Sequence, residues 1–460
     1  MSQLSVLEEL NLDFGSLFLL FITACAFVLP VAVVLPPVPV RKSDALLQTH
    51  NLAGVRKPKK SQHTAAAASR GGATATVHSL FVHPVKSCRP IEVTRSRVLP
   101  QGLEFDRLFT FAQLKSPFPV SLDATDDSKR QHRWEFVTQR QFPLLATVEV
   151  DLWLPDEMKL RRQSMKPTKE AFLIVRFPWK EDGWRGVLST IGAKLAGGAA
   201  AQPEKEILLP VDFPSAAEIK DKGYIFEDVK IWNEVVTALN MSTELPRELM
   251  LYLGVSNKLG LFRIDPGKLR EVYRCAPLRD EAGYQPVTGF QDAYPLHMIT
   301  LDSLKKFSEE VPKDDELKEI DVRRFRANII LSGVPPYDEE TWKKARFKPG
   351  KSGLFNDAVF HISCRTVRCK MPNVDPDTGH RHRSEPDRSL RSLRDVDEGA
   401  PKLGCLGMQL TPLFEVDEAP SAGRSGLIGD DDPDDGRSAW VAVGMTVEVE
   451  ERGEHLYIKQ

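Results

Sequence analysis

One thiol of this chain lies where a metal ligand or a nucleophile would be expected. Cys369 ends an apolar-alternating run at 359–369, VFHISCRTVRC, and the turn-rich residues 373–379, NVDPDTG, follow it closely. Asp, Pro and Gly favour reversal of the backbone, so the pattern predicts a strand with the thiol at its mouth. Side chains that bind or react are commonly placed on loops that a rigid sheet positions.

Positively charged residues flank that thiol in the sequence. Arg365, Arg368 and Lys370 are its near neighbours. A thiolate is a soft donor that suits a redox-active transition metal, and nearby cations keep it ionised. From the residues alone, a buried core cysteine followed by a plain hairpin turn is the alternative interpretation. Cys364 is either a second thiol of the same site or a core cysteine, and the second interpretation is favoured.

Four segments carry a family resemblance. Residues 367–379, VRCKMPNVDPDTG, resemble the signature of the MOSC family, which is named after the C-terminal part of molybdenum cofactor sulfurases. Three further segments resemble that family in the same order: 80–107, 289–304 and 322–333. Within the family, the resemblance is strongest to the membrane-anchored branch that reduces amidoximes. It implies an α+β, β-rich fold: a MOSC β-barrel core with an N-terminal MOSC-associated β-barrel or α-β region.

The resemblance also implies a cofactor and its binding residues. Cys369 is the expected protein ligand to molybdenum, carried on a phosphorylated pterin as the molybdenum cofactor, and Asp292 is the expected second catalytic group. The remaining cofactor-binding positions that it implies are Lys86, Ser87, Arg107, Arg140, Arg326, Asn328 and Arg368. Arginine forks suit phosphate, although an isolated arginine more often forms a surface or structural ion pair. Tyr294 stands where the family often has a small hydroxyl residue, and FRAN at 325–328 replaces the more usual FRPN.

The activity that the resemblance implies is reduction of small N-hydroxylated molecules such as amidoximes and hydroxylamines. The sequence has no dinucleotide-binding fingerprint and no haem attachment motif. Electrons are therefore expected from partner proteins, and the resemblance implies a b-type cytochrome and its flavin-containing reductase. Two alternatives stay open: a non-catalytic carrier of the cofactor, and a sulfur-carrying MOSC protein that uses a persulfide on Cys369.

Composition limits the other classes of function. The 460 residues hold 62 Lys and Arg against 64 Asp and Glu, so no overall charge draws the chain to nucleic acid. The hydrophobic fraction of 42% is enough for a core. Six cysteines in so long a chain do not form the pattern of a disulfide framework, which favours a reducing compartment.

The N-terminal region predicts a membrane anchor. Residues 15–35 are uncharged and match the ~20 positions that a membrane-spanning helix needs. Basic residues follow at 41–60. By the positive-inside rule, the larger C-terminal part faces the cytosol. The mitochondrial outer membrane is expected by analogy, with the endoplasmic reticulum as the alternative.

Periodicity divides the remaining chain. The prediction is an N-terminal segment at 1–14, the anchor at 15–35, a flexible tether at 36–75, a MOSC N-terminal domain at 76–255 and a MOSC domain at 256–455. Insertions are expected near 120–134, 380–401 and 417–438. Helices are predicted at 242–253 and 301–310. Alternating or continuously apolar runs predict strands at 76–85, 91–99, 145–154, 171–177, 229–236, 327–333, 404–414 and 440–451.

Overall fold

The computed structural model describes residues 14–34, 41–55, 63–64, 74–116, 132–166, 168–350, 356–414 and 437–458. The chain forms two compact units, one of residues 1–46 with 178–205, the other of residues 47–177 with 206–460. Residues 1–13 of the predicted segment at 1–14, and most of the insertions at 120–134 and 417–438, lie outside the described residues.

The helices carry the labels α1 to α9. They are α1 Phe14–Val34, α2 Lys42–Leu46, α3 Glu157–Arg162, α4 Gly183–Gly197, α5 Ala216–Lys222, α6 Arg247–Leu253, α7 Arg279–Ala282, α8 Leu301–Glu310 and α9 Asp387–Leu393. Short 3-10 helices occur at Pro143–Thr147, Ser242–Glu244, Val322–Phe325, Asp338–Thr341 and Met371–Asn373.

The strands are short and numerous. They are β1 His50–Leu52, β2 Thr76–Val82, β3 Ile91–Val93, β4 Arg95–Leu99, β5 Gly102–Leu103, β6 Phe109–Lys115, β7 Arg133–Phe136, β8 Glu149–Pro155, β9 Phe172–Pro178, β10 Glu204–Pro210, β11 Ile225–Ile231, β12 Glu234–Asn240, β13 Leu259–Ile264, β14 Arg270–Glu271, β15 Val287–Thr288, β16 Leu296–Thr300, β17 Ile329–Ser332, β18 Trp342–Lys348, β19 Ala358–Val367, β20 Cys405–Leu413, β21 Ala439–Ala442 and β22 Thr446–Arg452.

Two large sheets organise the second unit. A closed barrel has the order β11-β12-β13-β6-β7, and an eight-stranded sheet has the order β17-β16-β20-β19-β18-β22-β2-β3. An additional pairing of β17 with β2 joins the first and seventh strands of that sheet, so β3 lies outside the ring. The predicted β-rich α+β class is confirmed. The sheets do not follow the predicted boundary at 255, because β13 completes the barrel and β2 pairs with C-terminal strands.

Apolar side chains fill each sheet from the inside. The barrel encloses Trp134, Phe136 and Phe262, which are all buried. Beside the eight-stranded sheet, α8 buries Leu301, Leu304 and Phe307. Their three-residue spacing places them on one face of the helix, as burial against a sheet requires.

The helix predictions differ in outcome. α8 confirms the helix at 301–310, and Thr300 caps it by accepting the backbone N–H of Ser303 at 3.2 Å. The helix predicted at 242–253 is wrong at its start. A 3-10 turn occupies Ser242–Glu244, and α6 begins only after Pro246, because proline fits the start of a helix and not its interior.

Other expectations also need correction. The single strand predicted at 229–236 is a hairpin, because β11 ends at Ile231 and β12 starts at Glu234. Parts of the predicted tether form α2 and β1. The predicted insertion at 380–401 contains α9, whose Leu390 is buried in the same cluster as α8.

The described N-terminal residues form α1 over Phe14–Val34. Among all residues that the structure describes, no helix combines the length and the apolar character that a bilayer crossing requires. The single span predicted at 15–35 is therefore not supported by the structure.

Candidate functional site

A cavity of about 360 Å³ lies in the unit of residues 47–177 and 206–460. All of the site residues predicted from the sequence line it. They are Lys86, Ser87, Arg107, Arg140, Asp292, Arg326, Asn328, Arg368 and Cys369.

Segments distant in sequence deliver these side chains to one place. Lys86 and Ser87 come from the loop after β2, and Arg107 comes from the turn before β6. Arg326 ends the 3-10 helix that leads into β17, and Cys369 follows β19. Ser87, Arg107 and Arg326 all have positive φ, of 68°, 50° and 55°. Such left-handed conformations are strained for these residue types and cluster at functional sites.

The cavity lining is cationic, although four of its seven cations, Lys86, Arg107, Arg365 and Arg391, form ion pairs with carboxylates. Asp292 is the one carboxylate among the described lining residues. The cationic lining residues are Lys86, Arg107, Arg140, Arg326, Arg365, Arg368 and Arg391. A concave site lined by one sign of charge focuses its field, so the cavity attracts anions.

Lys86 is held deep in the lining by two acceptors. Its Nζ donates to the Phe290 carbonyl at 2.6 Å and to Asp292 Oδ1 at 2.7 Å, and its side chain is only 6% exposed. Burial lowers the pKa of Lys86 to about 8, although the Asp292 carboxylate raises it. A lysine of this kind can change its protonation state near neutral pH, which an ordinary surface lysine does not.

Asp292 connects the lysine with the tip of a hairpin. The indole N–H of Trp232 donates to Asp292 Oδ1 at 3.1 Å, and the Asp292 side chain is 53% exposed. Burial alone would raise the pKa of Asp292. The Lys86 ammonium and the Trp232 N–H lower it by more, so the net pKa is well below its usual range. The guanidinium of Arg140 lies 4.3 Å from the centre of the Trp232 ring.

Arg107 and Asn328 form a fixed part of the wall. Arg107 Nη1 donates to Asp106 Oδ2 at 2.6 Å and to Asn328 Oδ1 at 3.1 Å. The Asn328 amide donates to the Phe81 carbonyl at 3.1 Å. Burial raises the pKa of Asp106, but Arg107 and His83 lower it to about 2, so this carboxyl stays ionised. The polar atoms of Asn328 are therefore occupied by hydrogen bonds to Arg107 and to the Phe81 backbone.

Several buried nitrogen atoms of the lining have no hydrogen-bond partner among the described residues. They are Arg140 Nε, Arg326 Nη2, Arg368 Nε and His297 Nε2. Arg326 anchors itself with its other nitrogen, donating to the Cys88 carbonyl at 2.8 Å, and Arg368 Nη2 donates to the Phe325 carbonyl at 2.9 Å. Buried polar atoms are almost always paired in folded proteins, so the three arginine side chains indicate a place for a ligand with acceptor atoms.

His297 also lines the cavity but carries no charge at neutral pH. Burial lowers its pKa well below the usual range, and the nearby Arg368 and Arg107 lower it further. Gly407 packs against this ring so closely that a side-chain carbon at that position would lie 2.6 Å from His297 Nε2.

The two thiols of the Cys369 strand have different surroundings. Cys369 is half-buried and lines the cavity, and it forms no disulfide. Cys364 is fully buried in a cluster with Val272 and Tyr294 and is absent from the described lining. The interpretation of Cys364 as a core cysteine agrees with this placement.

Some lining residues were not predicted from the sequence. Trp232 sits at the two-residue turn of the β11–β12 hairpin, with φ of 55°. Two seven-residue runs separated by two residues are a hairpin signal, and that signal could have found it. Gln291 also lines the cavity. It accepts the Gly289 N–H at 2.7 Å and donates to the Gln101 carbonyl at 3.0 Å, which fixes the loop before Asp292.

Two family profiles cover the segments that build the cavity. The MOSC N-terminal beta barrel domain matches residues 74–197, and the MOSC domain matches residues 285–416. The chain belongs to the MOSC family. The first match contains Lys86, Ser87, Arg107 and Arg140, and the second contains Arg326 and Cys369.

Curated relatives fall into two groups of MOSC proteins. The chain is 23% identical to mitochondrial amidoxime reducing component 2 of Rattus norvegicus over 340 residues, which are 74% of this chain and 77% of that protein. It is 29% identical to mitochondrial amidoxime-reducing component 1 of Homo sapiens over 25% of this chain and 30% of that protein. It is 23% identical to molybdenum cofactor sulfurase of Danio rerio over 71% of this chain but only 31% of that protein.

Proposed function

We propose that this MOSC protein binds the molybdenum cofactor in the cationic cavity and uses it to reduce small N-hydroxylated molecules. The observation that supports it most is a group of three arginines, Arg140, Arg326 and Arg368, that line the cavity. Each has a buried nitrogen without a hydrogen-bond partner among the described residues. A phosphorylated pterin offers the anionic oxygen and ring acceptors that such donors need. The amidoxime-reducing relatives support the choice of reaction.

Each part of the cofactor has residues that would hold it. Lys86, Ser87 and Arg326 offer an ammonium, a hydroxyl and a guanidinium to the phosphorylated end, and the half-buried Cys369 thiol is the ligand for the metal. Bound there, the cofactor supplies two-electron reduction with transfer of an oxygen atom. The protein binds and orients it and limits the access of water.

The pair of Lys86 and Asp292 is proposed to manage protons. Loss of the substrate oxygen as water consumes two protons, so a group that titrates near neutral pH is needed to pass protons into the cavity. Lys86 has such a pKa, of about 8, and its Nζ is 2.7 Å from a half-exposed carboxylate that opens to the cavity. Lys86 is therefore proposed to hold a proton at Nζ, with Asp292 connecting it to the mouth.

The proposal extends to partners and location. A b-type cytochrome and its flavin-containing reductase are the proposed electron donors. A mitochondrial location is proposed from the names of the amidoxime-reducing relatives. Attachment to the outer membrane is proposed by analogy with the family and from the uncharged sequence at 15–35, and the basic residues at 41–60 support a cavity that faces the cytosol.

The test is metal analysis of the purified chain and of Cys369→Ser. We expect about one molybdenum per chain, lost in Cys369→Ser and kept in Cys275→Ser, a matched control because Cys275 is a free thiol outside the described cavity lining. Reduction of an amidoxime by the loaded chain with a chemical electron donor completes the test.

The outcomes separate the alternatives. Bound molybdenum without any reduction of amidoximes or hydroxylamines indicates a carrier of the cofactor. A chain without molybdenum but with a persulfide on Cys369, detected by mass spectrometry, indicates the sulfur-carrying function. Molybdenum that stays bound in Cys369→Ser refutes the role of this thiol as metal ligand.

A further inference from the structure

Helix α4, Gly183–Gly197, exposes four of its five large apolar side chains, and only Leu188 is half-buried. Trp184 is 65% exposed, Val187 54%, Ile191 49% and Leu195 83%. Ala193, on the other side, is only 4% exposed. A surface helix of a globular protein normally shows the reverse arrangement, with large apolar residues facing the core. A contiguous apolar stripe of this kind marks an interaction surface.

The exposed stripe is narrow and continuous. At about 100° per residue, the four large side chains fall within roughly 80° of the helix circumference. Lys194 borders it on the edge next to Val187. On the other edge the half-buried Leu188 comes first, and Arg185 lies about 80° beyond the stripe. The helix sequence, GWRGVLSTIGAKLAG, contains no Asp or Glu. Apolar side chains bordered by cations are typical of helices that lie in a lipid interface.

Small and polar residues occupy the other side of the helix. A side-chain carbon at Gly186 would lie 1.8 Å from the Glu181 carbonyl oxygen, so the backbone packs directly against the segment that leads into the helix. The hydroxyl of Thr190 donates to the Gly186 carbonyl at 2.6 Å and is satisfied within the helix. The apolar stripe lies on the side away from Gly186.

We propose that α4 lies on a lipid surface that contains anionic headgroups, with the stripe of Trp184, Val187, Ile191 and Leu195 inserted among the acyl chains. The long stems of Arg185 and Lys194 let their charges reach the phosphate level while the apolar stripe goes deeper. Trp at the end of the stripe suits this environment, because its ring is apolar and its N–H needs a polar partner. Helix α1, in the same compact unit, also exposes apolar side chains, Phe18 by 59% among them.

The experiment uses the full chain and vesicles that contain brominated phosphatidylcholine and phosphatidylserine. Bromine quenches tryptophan fluorescence only at short range, and the chain has 7 Trp, so the Trp184 signal is taken as the difference between the wild type and Trp184→Phe. We expect this difference signal to be quenched. In the double variant Ile191→Glu with Leu195→Glu, quenching of Trp184 is expected to need at least about tenfold more lipid.

Charge and site controls sharpen the test. Replacing both Arg185 and Lys194 by Gln is expected to weaken quenching in vesicles with phosphatidylserine and to change little in phosphatidylcholine alone. Leu251→Glu, at an apolar position 51% exposed on α6, is the matched control and is expected to behave like the wild type.

Three results overturn the proposal. Absence of quenching at Trp184, while the chain binds the vesicles, means that α4 is covered by another part of the chain. A change from a larger species to a monomer in the double variant, measured by light scattering without lipid, makes the stripe an interface between copies. Equal quenching in the double variant and the wild type shows that the stripe is not inserted.

Discussion

Replacing Asp292 by Asn tests whether the carboxylate tunes Lys86. The two side chains are 2.7 Å apart. At that distance Coulomb's law gives ~6 kcal/mol at an effective dielectric of about 20 and ~1.5 kcal/mol at about 80. Asp292 is 53% exposed, so solvent screening places the interaction near the lower value, at about 2 kcal/mol.

Two kilocalories correspond to roughly a thirtyfold change in proton affinity. Asp292→Asn should therefore lower the pKa of Lys86 from about 8 to below neutrality. The sign follows from the ammonium losing its anionic partner while burial, which disfavours the charged form, stays the same. The lysine of the variant is then neutral at pH 7.5, and the cavity loses one of the positive charges available to a phosphate.

The assay is an NMR titration of reductively methylated lysines, with Lys86→Gln identifying the resonance. We expect a midpoint near 8 in the wild type and below 7 in Asp292→Asn. Unchanged titration of Lys86 in the variant would refute the argument, because the carboxylate would then contribute nothing to the protonation of the lysine. If Lys86 stayed charged in Asp292→Asn, the variant would also retain an anionic cofactor as well as the wild type does.

Three further predictions concern stability and the mouth of the cavity. Burial raises the pKa of Glu339 from 4.5 to about 7, so between these pH values the folded state keeps a proton that the unfolded chain releases. The free energy of unfolding should therefore fall by about 3 kcal/mol as pH rises from 4.5 to about 7. Glu339→Gln should remove most of this pH dependence in urea titrations. Gly407→Ala, at φ of 83° and against His297, should cost about 3 kcal/mol in the same assay. Trp232→Phe removes a donor to Asp292 and should raise the pKa of that carboxyl by about one unit in carbon-13 NMR.

Each of these has a contrary result. A Glu339→Gln protein with the same pH slope as the wild type would assign the slope to other groups. Gly407→Ala with wild-type stability would mean that the strand shifts to accept the methyl group. An unchanged titration of Asp292 in Trp232→Phe would show that water replaces the indole without cost.

Local patterns predicted the elements that carry most of the site. Alternation over 359–369 gave β19 nearly to its ends, since a half-buried strand needs that period. The helix at 301–310 also followed from spacing, and Thr300 caps it. The hairpin at Trp232 was missed because a bulky residue with positive φ is an uncommon turn former.

The site could be predicted as a list of residues but not as an arrangement. Sequence resemblance marked Asn328, yet only the fold shows that its amide holds Arg107 and the Phe81 backbone and leaves little for a ligand. The link from Trp232 to Asp292 joins residues 60 positions apart and has no local signature. Contacts of this kind depend on how the barrel and the eight-stranded sheet bring their loops together, which no window of sequence contains.

The place of β2 in the eight-stranded sheet has a consequence for biosynthesis. This strand, in the first fifth of the chain, pairs with β17 and β22, so its Leu80 needs Ile329 and its Thr76 needs Thr446. Such distant pairings form slowly and late. Nearly the entire polypeptide must therefore be synthesised before the sheet that positions the loops with Lys86 and Cys369 is complete. Metal would then bind only to a finished chain, and nascent or truncated chains would be unable to bind it.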